Sequence, residues 1–556
     1  MTNGKAEKRK EKDLMVKPYI RIICSMVIAS LTSLAIADSP GLSKTEKAKV
    51  YTVFFSLPTD EANQILSELR KKCEGVEFIG GQVVTYEGVY PSTNIEIDID
   101  EQNDLVLQSI ENSKKDLDGL ILFFRGFSNK RYMLTGLPTI IVDCNTSGSQ
   151  IGFKNAVVLG EKHGTKFVTA TYNTRGFSND ASEFVRGDIP TPLASDILAE
   201  KVKLFVALRR MKNTKLLTIQ DYDRIDPIGK EGWGGVNAQM TDYDKIYPKR
   251  LKEYLGVNIV TVRSKELIQE VAKVKREEAA EIADMWINEA KAVIGVARED
   301  VIRSAELYMA YKKLMKKYDA DIITVSSWAL IPDGKIKAMP PLAEMELAKG
   351  LIPCCCESLI DCLVTQMVVT YMTGRPGFVG DVLGLGSFPP AVPVSDIPKN
   401  MMVIGHCYGP INPHGNDRVP YTIRNHAYYE LGWDTMDPRR AWRRDAQVRA
   451  NKQLQKEHIT LVAIRVEWPI DEIVSMVKVN VYDKEIEVYT GRTVNGNYLY
   501  KDFDNRICRT KLPFSLDKPF GRLRRDRWGC HRVVFYGDYR QEIKDLAALI
   551  GFTVIE

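Results

Sequence analysis

The stretch from residue 351 to residue 385, LIPCCCESLIDCLVTQMVVTYMTGRPGFVGDVLGL, limits the fold more than any other part of the chain. The apolar run Leu351–Cys356 predicts a buried strand, and residues 358–372 contain no Gly or Pro, which favours a helix. Gly374 and Pro376 supply a helix stop, and a second short apolar run follows them. The stretch therefore predicts a strand–helix–strand unit of an open α/β sheet.

Two carboxylates frame the predicted helix: Glu357 follows the first strand and Asp381 lies in the second apolar run. Parallel strands joined by a helix have their carboxyl ends on the same edge of the sheet, where open α/β sheets bind their ligands. We therefore expect the two acids to converge. Two carboxylates in one site either share a proton or hold a divalent metal ion. The alternative is that one acid caps the helix and the other lies in a loop.

The residues around the two acids form a longer pattern. The chain reads Gly-Leu-Ile-Pro at 350–353, Cys-Glu at 356–357 and Gly-x-Pro-x-Phe-x-x-Asp at 374–381. This pattern resembles the L-fucose isomerase family of metal-dependent aldose–ketose isomerases, which L-arabinose isomerase resembles in structure. The resemblance implies that Glu357 and Asp381 are ligands of manganese, with magnesium or another divalent ion as the alternative, and that both also act as acid–base groups.

The resemblance also implies a third ligand, a histidine in a Gly-x-His segment near the C-terminus. The matching segment is Gly529-Cys530-His531, so His531 is expected to bind the metal ion. A weaker match, Gly405-His406-Cys407, resembles the His-Cys-Gly stretch that opens the last domain of the family. There are two departures: Leu359 stands where the family has a second acid, and Tyr408 stands where a Gly follows His-Cys.

The activity implied is that of a sugar isomerase, which interconverts an aldose and a ketose through a metal-bound cis-enediol. A divalent ion acidifies the hydroxyl and polarises the carbonyl of a monosaccharide, while carboxylates move the proton between C2 and C1. Trp328, His406 and Trp528 are weak candidates for contact with the sugar. Core packing is an equal alternative for the two tryptophans. No motif indicates which sugar is bound.

A different class of protein also fits part of the sequence. A leader peptide followed by two α/β domains is typical of an exported sugar-binding protein, which closes on its ligand without chemistry. A catalytically decayed isomerase homologue that only binds sugars is a further alternative. The predicted β-rich third domain and the Glu–Asp–His set favour the isomerase.

The three predicted domains differ in composition. We expect a Rossmann-like α/β domain over 38–205, a second over 206–383 that carries both carboxylates, and a mainly β domain over 384–556 that carries the histidine. The resemblance implies a homo-oligomer, a hexamer in most members. Strand-like runs that define the α/β domains are Asp118–Phe124, Thr139–Asp143, Lys215–Ile219 and Asp321–Val325.

The net charge of +5 is concentrated at the N-terminus. Residues 1–37 hold seven Lys/Arg and three Asp/Glu, which leaves 70 basic and 69 acidic residues of the totals of 77 and 72. Residues 38–556 are therefore nearly neutral, so their charge does not indicate nucleic-acid binding. They also contain no apolar run long enough for a stable membrane span.

The N-terminal residues themselves predict a signal peptide. A basic segment precedes the apolar run Ile22–Leu34, and Ala35-Ile36-Ala37 supplies a cleavage site. The pattern suggests export to the periplasm or secretion, whereas the family resemblance suggests the cytoplasm. An N-terminal anchor or a packed helix is the alternative.

The ten cysteines show no regular disulfide spacing. Cys354, Cys355 and Cys356 are consecutive and precede Glu357. Successive side chains of a strand point to opposite faces, so the three thiols cannot all reach one ion. We expect them to pack a buried strand.

Overall fold

The computed structural model describes residues 46–84, 99–125, 130–144, 151–172, 191–221, 243–326, 336–383, 388–426, 453–454, 456–505, 508–518 and 525–556. The predicted signal peptide, residues 1–37, and Trp328 lie outside these residues. Within the described ranges, no helix has both the length and the apolar character needed to cross a membrane.

The first sheet is parallel throughout and has the strand order 2-1-3-4-5 of a doubly wound fold. Its two inner strands with the sequences GLILFF and TIIVD are fully buried, because helices cover both faces of a parallel sheet. The strands are β1 Ala48–Phe55, β2 Val76–Val84, β3 Gly119–Phe124, β4 Thr139–Asp143 and β5 Phe167–Thr171. The helices of this part are α1 Thr59–Lys72, α2 Ile99–Ser113, α3 Ile151–His163 and α4 Thr191–Lys212.

The second sheet is also parallel, with the strand order 10-9-6-7. Its strands are β6 Lys215–Ile219, β7 Asn258–Val262, β9 Ile322–Val325 and β10 Cys354–Cys356. The helices of this part are α5 Tyr243–Leu255, α6 Ser264–Ala272, α7 Arg276–Glu289, α8 Arg298–Tyr318 and α9 Pro341–Lys349. A short strand of the same segment, β8 Ala292–Ile294, joins β13 Tyr421–Asn425 and β14 Val462–Val466 in a separate three-stranded sheet.

The third part is mostly strand. Six antiparallel strands follow one another in the order 15-18-11-12-17-16, and a further pairing of the first with the last closes them into a barrel. They are β11 Phe378–Leu383, β12 Met401–His406, β15 Ile473–Asn480, β16 Glu485–Thr493, β17 Thr510–Leu516 and β18 His531–Tyr536. The remaining elements are α11 Gly496–Leu499, α12 Arg525–Trp528, α13 Arg540–Ile550 and β19 Thr553–Ile555. The predicted fold class, two α/β parts and a mainly β part, is confirmed.

One expectation about the strand–helix–strand unit is wrong. Strand β10 pairs with β9 in the second sheet, whereas β11 pairs antiparallel with β12 and β18 in the barrel. The connecting helix, α10 Ile360–Thr373, is apolar on nearly every side and buried from Ile360 to Thr370. Such a helix must be covered all round, so it lies between two sheets instead of on one face of a single sheet. The change of sheet therefore precedes residue 378, and the domain limits stay a prediction.

The cysteines of β10 alternate as expected. Cys354 and Cys356 pack into the core between the second sheet and its helices. Cys355 faces the opposite side and packs into the core around α10. The three thiols therefore do not converge on one point.

A turn near the barrel generates a test of pH-dependent stability. His414 Nδ1 lies 2.6 Å from Asp417 Oδ2, and its Nε2 lies 2.6 Å from Glu472 Oε2, just before β15. Partial burial opposes the charged ring, but the two carboxylates outweigh it and raise the pKa of His414. A raised pKa in the folded state stabilises the protein fully below the ordinary histidine pKa, and this contribution is lost as pH rises through the folded value.

We therefore expect the stability advantage of the wild type over His414→Gln to shrink as pH rises. Urea unfolding midpoints measured from about pH 5.5 to about pH 8.5 will check this. His163→Gln, at the exposed end of α3, is the control. A stability difference between wild type and His414→Gln that does not change with pH would contradict the assignment.

Candidate metal centre

Three strand ends bring the predicted ligands together. Glu357 follows β10 directly, Asp381 lies within β11, and His531 is the first residue of β18. Asp381 and His531 are directly opposite each other in the antiparallel ladder, so their side chains point to the same face. The barrel therefore supplies two of the three residues, and the second sheet supplies the third.

The distances within this cluster are short. His531 Nε2 lies 3.3 Å from Asp381 Oδ1 and 3.6 Å from Glu357 Oε2. The side chains are almost completely buried, with exposed fractions of 2%, 11% and 10% for His531, Asp381 and Glu357. Both carboxylates therefore lie beside His531, but the ligand atoms within 4.8 Å of one another form two groups that share this histidine: Glu357 with His406 and His531, and Asp381 with Cys530 and His531.

The turn that presents Glu357 has an unusual backbone. Glu357 and Ser358 have φ values of +74° and +55°, the left-handed region, which costs a non-glycine residue about 1–2 kcal/mol. The Ser358 backbone N–H donates a hydrogen bond to the Val325 carbonyl, and both side chains are held against the core. Strain of this kind is retained where the surrounding structure fixes it, most often at functional sites.

The Nε2 of His531 faces the two carboxylates. Its Nδ1 lies 3.4 Å from Cys530 Sγ, and its buried Nε2 has no hydrogen-bond partner among the described residues. Burial lowers the pKa of His531, and the effect of Asp381 only partly opposes this, so the ring is neutral near pH 7. With the ring proton on Nδ1, the Nε2 lone pair would face two carboxylates, a repulsive arrangement that a cation would make favourable.

The pKa of Asp381 moves in the direction expected of crowded acids. Burial raises the pKa of Asp381, and the nearby charge of Glu357 raises it further, although His531 partly compensates. A third carboxyl, Glu344 on α9, is 1% exposed, and its Oε2 has no hydrogen-bond partner in the described part of the chain. Burial raises the pKa of Glu344 well above its ordinary value.

His406 has a larger part in the cluster than the sequence indicated. Its Nε2 lies 3.7 Å from Glu357 Oε1, and its ring meets that of His531 edge-on with centroids 5.9 Å apart. Burial lowers the pKa of His406, but Cys407 and Glu357 outweigh this and raise it well above the ordinary value. The sequence placed His406 only among weak sugar contacts.

Trp528, another predicted sugar contact, lies in the core. Trp528 is 3% exposed, which agrees with the core-packing alternative, and the Arg527 guanidinium lies 6.0 Å from its ring centroid. Sequence reasoning missed Glu344 and Cys407. The pairing of cysteine with histidine in both Gly529-Cys530-His531 and Gly405-His406-Cys407 was the available signal for the second of these.

Strands β11 and β12 approach closely beside the cluster. A Cβ at Gly380 would lie 2.8 Å from the Gly405 carbonyl oxygen, a backbone atom that cannot move independently. A Cβ at Gly405 would instead meet Leu383 Cδ1 at 2.5 Å, the far end of a flexible side chain. A side chain at Gly380 would therefore push β12 away from β11, which carries Asp381. A side chain at Gly405 would only displace the Leu383 side chain.

We expect Gly380→Ala to weaken Mn²⁺ binding about 10-fold or more, because β12 must shift away from Asp381. Gly405→Ala is the matched control and should remain within about threefold of the wild type, since Leu383 can adopt another rotamer. Isothermal titration with Mn²⁺ measures both. Equal affinities for the two variants would show that strand spacing does not position the cluster.

Comparison with known proteins does not assign this chain to a family. No family model and no curated protein matches the chain at a significant level. Solved structures with some likeness include an arabinose-binding protein from Geobacillus stearothermophilus, 13% identical over 52% of this chain and 80% of that one, with a TM-score of 0.14. Another is a sugar ABC transporter protein from Yersinia enterocolitica, 12% identical over 59% and 78%, also with a TM-score of 0.14. Scores this low carry no argument about fold or function.

Proposed function

We propose that the protein is a metal-dependent aldose–ketose isomerase that acts on a monosaccharide. The observation that carries the proposal is that Glu357 and Asp381 both approach the unpartnered Nε2 of His531, at 3.6 Å and 3.3 Å, in a buried cluster. The pattern of residues that resembles the L-fucose isomerase family supplies the reaction. The geometry supports binding of a metal ion. The sugar isomerase reaction is inferred from the resemblance to the L-fucose isomerase family.

The donor set fits a hard divalent ion. Two carboxylates with one imidazole suit Mn²⁺ or Mg²⁺ better than zinc. Two ligand atoms that each lie about 2.1 Å from one ion are about 3.0–3.4 Å apart for angles between 90° and tetrahedral. The separation of His531 Nε2 from Asp381 Oδ1 is 3.3 Å and that from Glu357 Oε2 is 3.6 Å, close to this range. An ion held by Glu357, Asp381 and His531 together would require the two carboxylates to move toward each other, because each now belongs to a separate group of close ligand atoms around His531.

When bound, the ion polarises the sugar carbonyl and acidifies the neighbouring hydroxyl. The protein's own residues then carry the proton. Glu357 and Asp381 approach His531 from two directions, so a sugar at this point has a carboxylate on either side. One carboxylate accepts the proton from C2 and the other returns a proton to C1. Burial of the cluster excludes water, which would otherwise exchange with the proton in transit.

His406 orients one of these groups. Its Nε2 lies on the side of Glu357 Oε1, opposite the Oε2 that faces His531. Glu357 is therefore held between two imidazoles, and its carboxylate plane is fixed. A carboxylate with a fixed plane can hold an ion with one oxygen and position the proton transfer with the same group.

Turnover of sugars with added metal is the direct test. The full chain is to be incubated with Mn²⁺ and a panel of aldoses, and ketose formation is to be measured. We expect at least one aldose to be converted, with activity lost on chelation and restored by Mn²⁺. Sugar binding without turnover and without stoichiometric Mn²⁺ would instead favour a sugar-binding protein or a decayed isomerase homologue.

Substitution of each carboxylate separates chemistry from folding. Glu357→Gln and Asp381→Asn should each lower turnover by about 10²-fold or more, because each removes an acid–base group and a metal charge. Glu346→Gln is the control: this part-buried glutamate accepts a hydrogen bond from Trp286 Nε1–H, which an amide oxygen can also accept. Circular dichroism checks the fold of each variant. Near wild-type turnover in either site variant would remove that carboxylate from the mechanism.

We keep the homo-oligomer as part of the proposal. In the resembled family the sites lie partly against a neighbouring subunit, and a shared site makes activity depend on protein concentration. Light scattering combined with assays on serial dilution should show a symmetric oligomer whose specific activity falls as it dissociates. A fully active monomer would contradict the shared site.

A further inference from the structure

A second cluster of ligating side chains lies where strands of three sheets end. Cys356 is the last residue of β10 in the second sheet, and His406 is the last residue of β12 in the barrel. Cys407 follows His406 directly. His426 follows β13 of the three-stranded sheet. Nothing in the proposed isomerase reaction requires either thiol or His426.

The distances among these atoms are those of ligands that share an ion. His406 Nδ1 lies 3.4 Å from Cys407 Sγ and 3.7 Å from Cys356 Sγ, and Cys356 Sγ lies 3.5 Å from Nε2 of the same ring. In a tetrahedral zinc site with Zn–S of about 2.3 Å and Zn–N of about 2.0–2.1 Å, sulfur and nitrogen ligands lie about 3.5–3.6 Å apart. Each of the three residues offers a ligand atom within 4.8 Å of the other two, and all three residues are buried.

The fourth position of a tetrahedron has a candidate as well. The side chain of His426 is hydrogen-bonded to that of Cys407, and His426 is 5% exposed. The four residues supply two sulfur and two nitrogen donors, a combination typical of structural zinc sites. The set contains no carboxylate, in contrast to the neighbouring cluster of Glu357, Asp381 and His531.

We propose that Cys356, His406 and Cys407 bind a structural zinc ion, with His426, beside Cys407, available to complete a tetrahedron. Its position explains what it does for the fold: one ion joins the second parallel sheet, the barrel and the three-stranded sheet at the ends of their strands. Soft thiolate donors favour zinc over manganese, so the two neighbouring sites select different ions.

The zinc site also supports the neighbouring cluster, and this part of the inference rests on the proposed function. A histidine that binds a metal through one ring nitrogen almost always directs the N–H of the other toward a carboxylate or carbonyl. With Nδ1 bound to zinc, the Nε2–H of His406 points toward Glu357 Oε1, 3.7 Å away. Zinc thereby fixes the tautomer of His406, which in turn positions Glu357.

Metal analysis of the purified full chain tests the proposal. We expect about one zinc per chain, retained under dialysis against a chelator that removes manganese. X-ray absorption at the zinc edge should show two sulfur neighbours at about 2.3 Å and two nitrogen neighbours at about 2.0–2.1 Å. This measurement uses the wild-type protein, so it does not depend on whether a variant folds. Absence of zinc, or a zinc shell without sulfur, would overturn the site.

Variants give an independent reading. Cys356→Ser combined with Cys407→Ser should lower the zinc content at least tenfold, whereas Cys355→Ala should keep it. Cys355 is the matched control, since it lies on the same strand and is equally buried, but its Sγ contacts Thr324 Oγ1 on the other face. Zinc retained in the double variant would overturn the assignment.

Glu357→Gln separates the two proposals, because it should retain zinc while it loses manganese. A protein that contains zinc but converts no aldose would refute the isomerase and leave the zinc site standing. Loss of zinc from Glu357→Gln at the level of the double cysteine variant would place the ion in the other cluster and overturn the proposal.

Discussion

The site depends on the burial of one helix that has no polar face. Helix α10 is buried from Ile360 to Thr370 and contacts both the second sheet and the barrel. Because such a helix gains stability only when apolar surface covers it all round, the two sheets must lie on either side of it. This places the end of β10, which leads into the helix, near β11, which leaves it. Glu357 and Asp381 both lie beside His531 because their sheets enclose the same helix.

Local elements were largely predictable from the sequence, whereas the strand neighbours were not. The runs Thr139–Asp143 and Lys215–Ile219 match β4 and β6 to the residue, since a short apolar run between turn residues determines a buried strand. The pairing of β11 with β18 joins residues far apart in the chain, and no local pattern specifies it. Glu357 and Asp381 were expected to converge at the edge of one parallel sheet, yet they belong to two different sheets and each lies beside His531.

The candidate ligands were predicted unevenly for a related reason. Glu357, Asp381 and His531 were found through spaced motifs that resemble a known family. Cys407 follows His406 directly, and only the packing of separate sheets brings Cys356 beside both of them. Glu344, on α9, lies in a segment without any such spacing. A residue type that is ordinary in a core, such as a buried cysteine, gains chemical meaning only from its neighbours.

The closed barrel has a consequence for how the protein is made. His531 belongs to β18, which lies between β15 and β11, so the barrel cannot close until that late strand is present. During synthesis, β11 and β12 emerge from the ribosome long before β18 and must wait with one edge uncovered. A nascent chain therefore carries both carboxylates without their histidine while residues 382–530 are made. Until β18 pairs with it, that edge of β11 is open to pairing with a wrong strand.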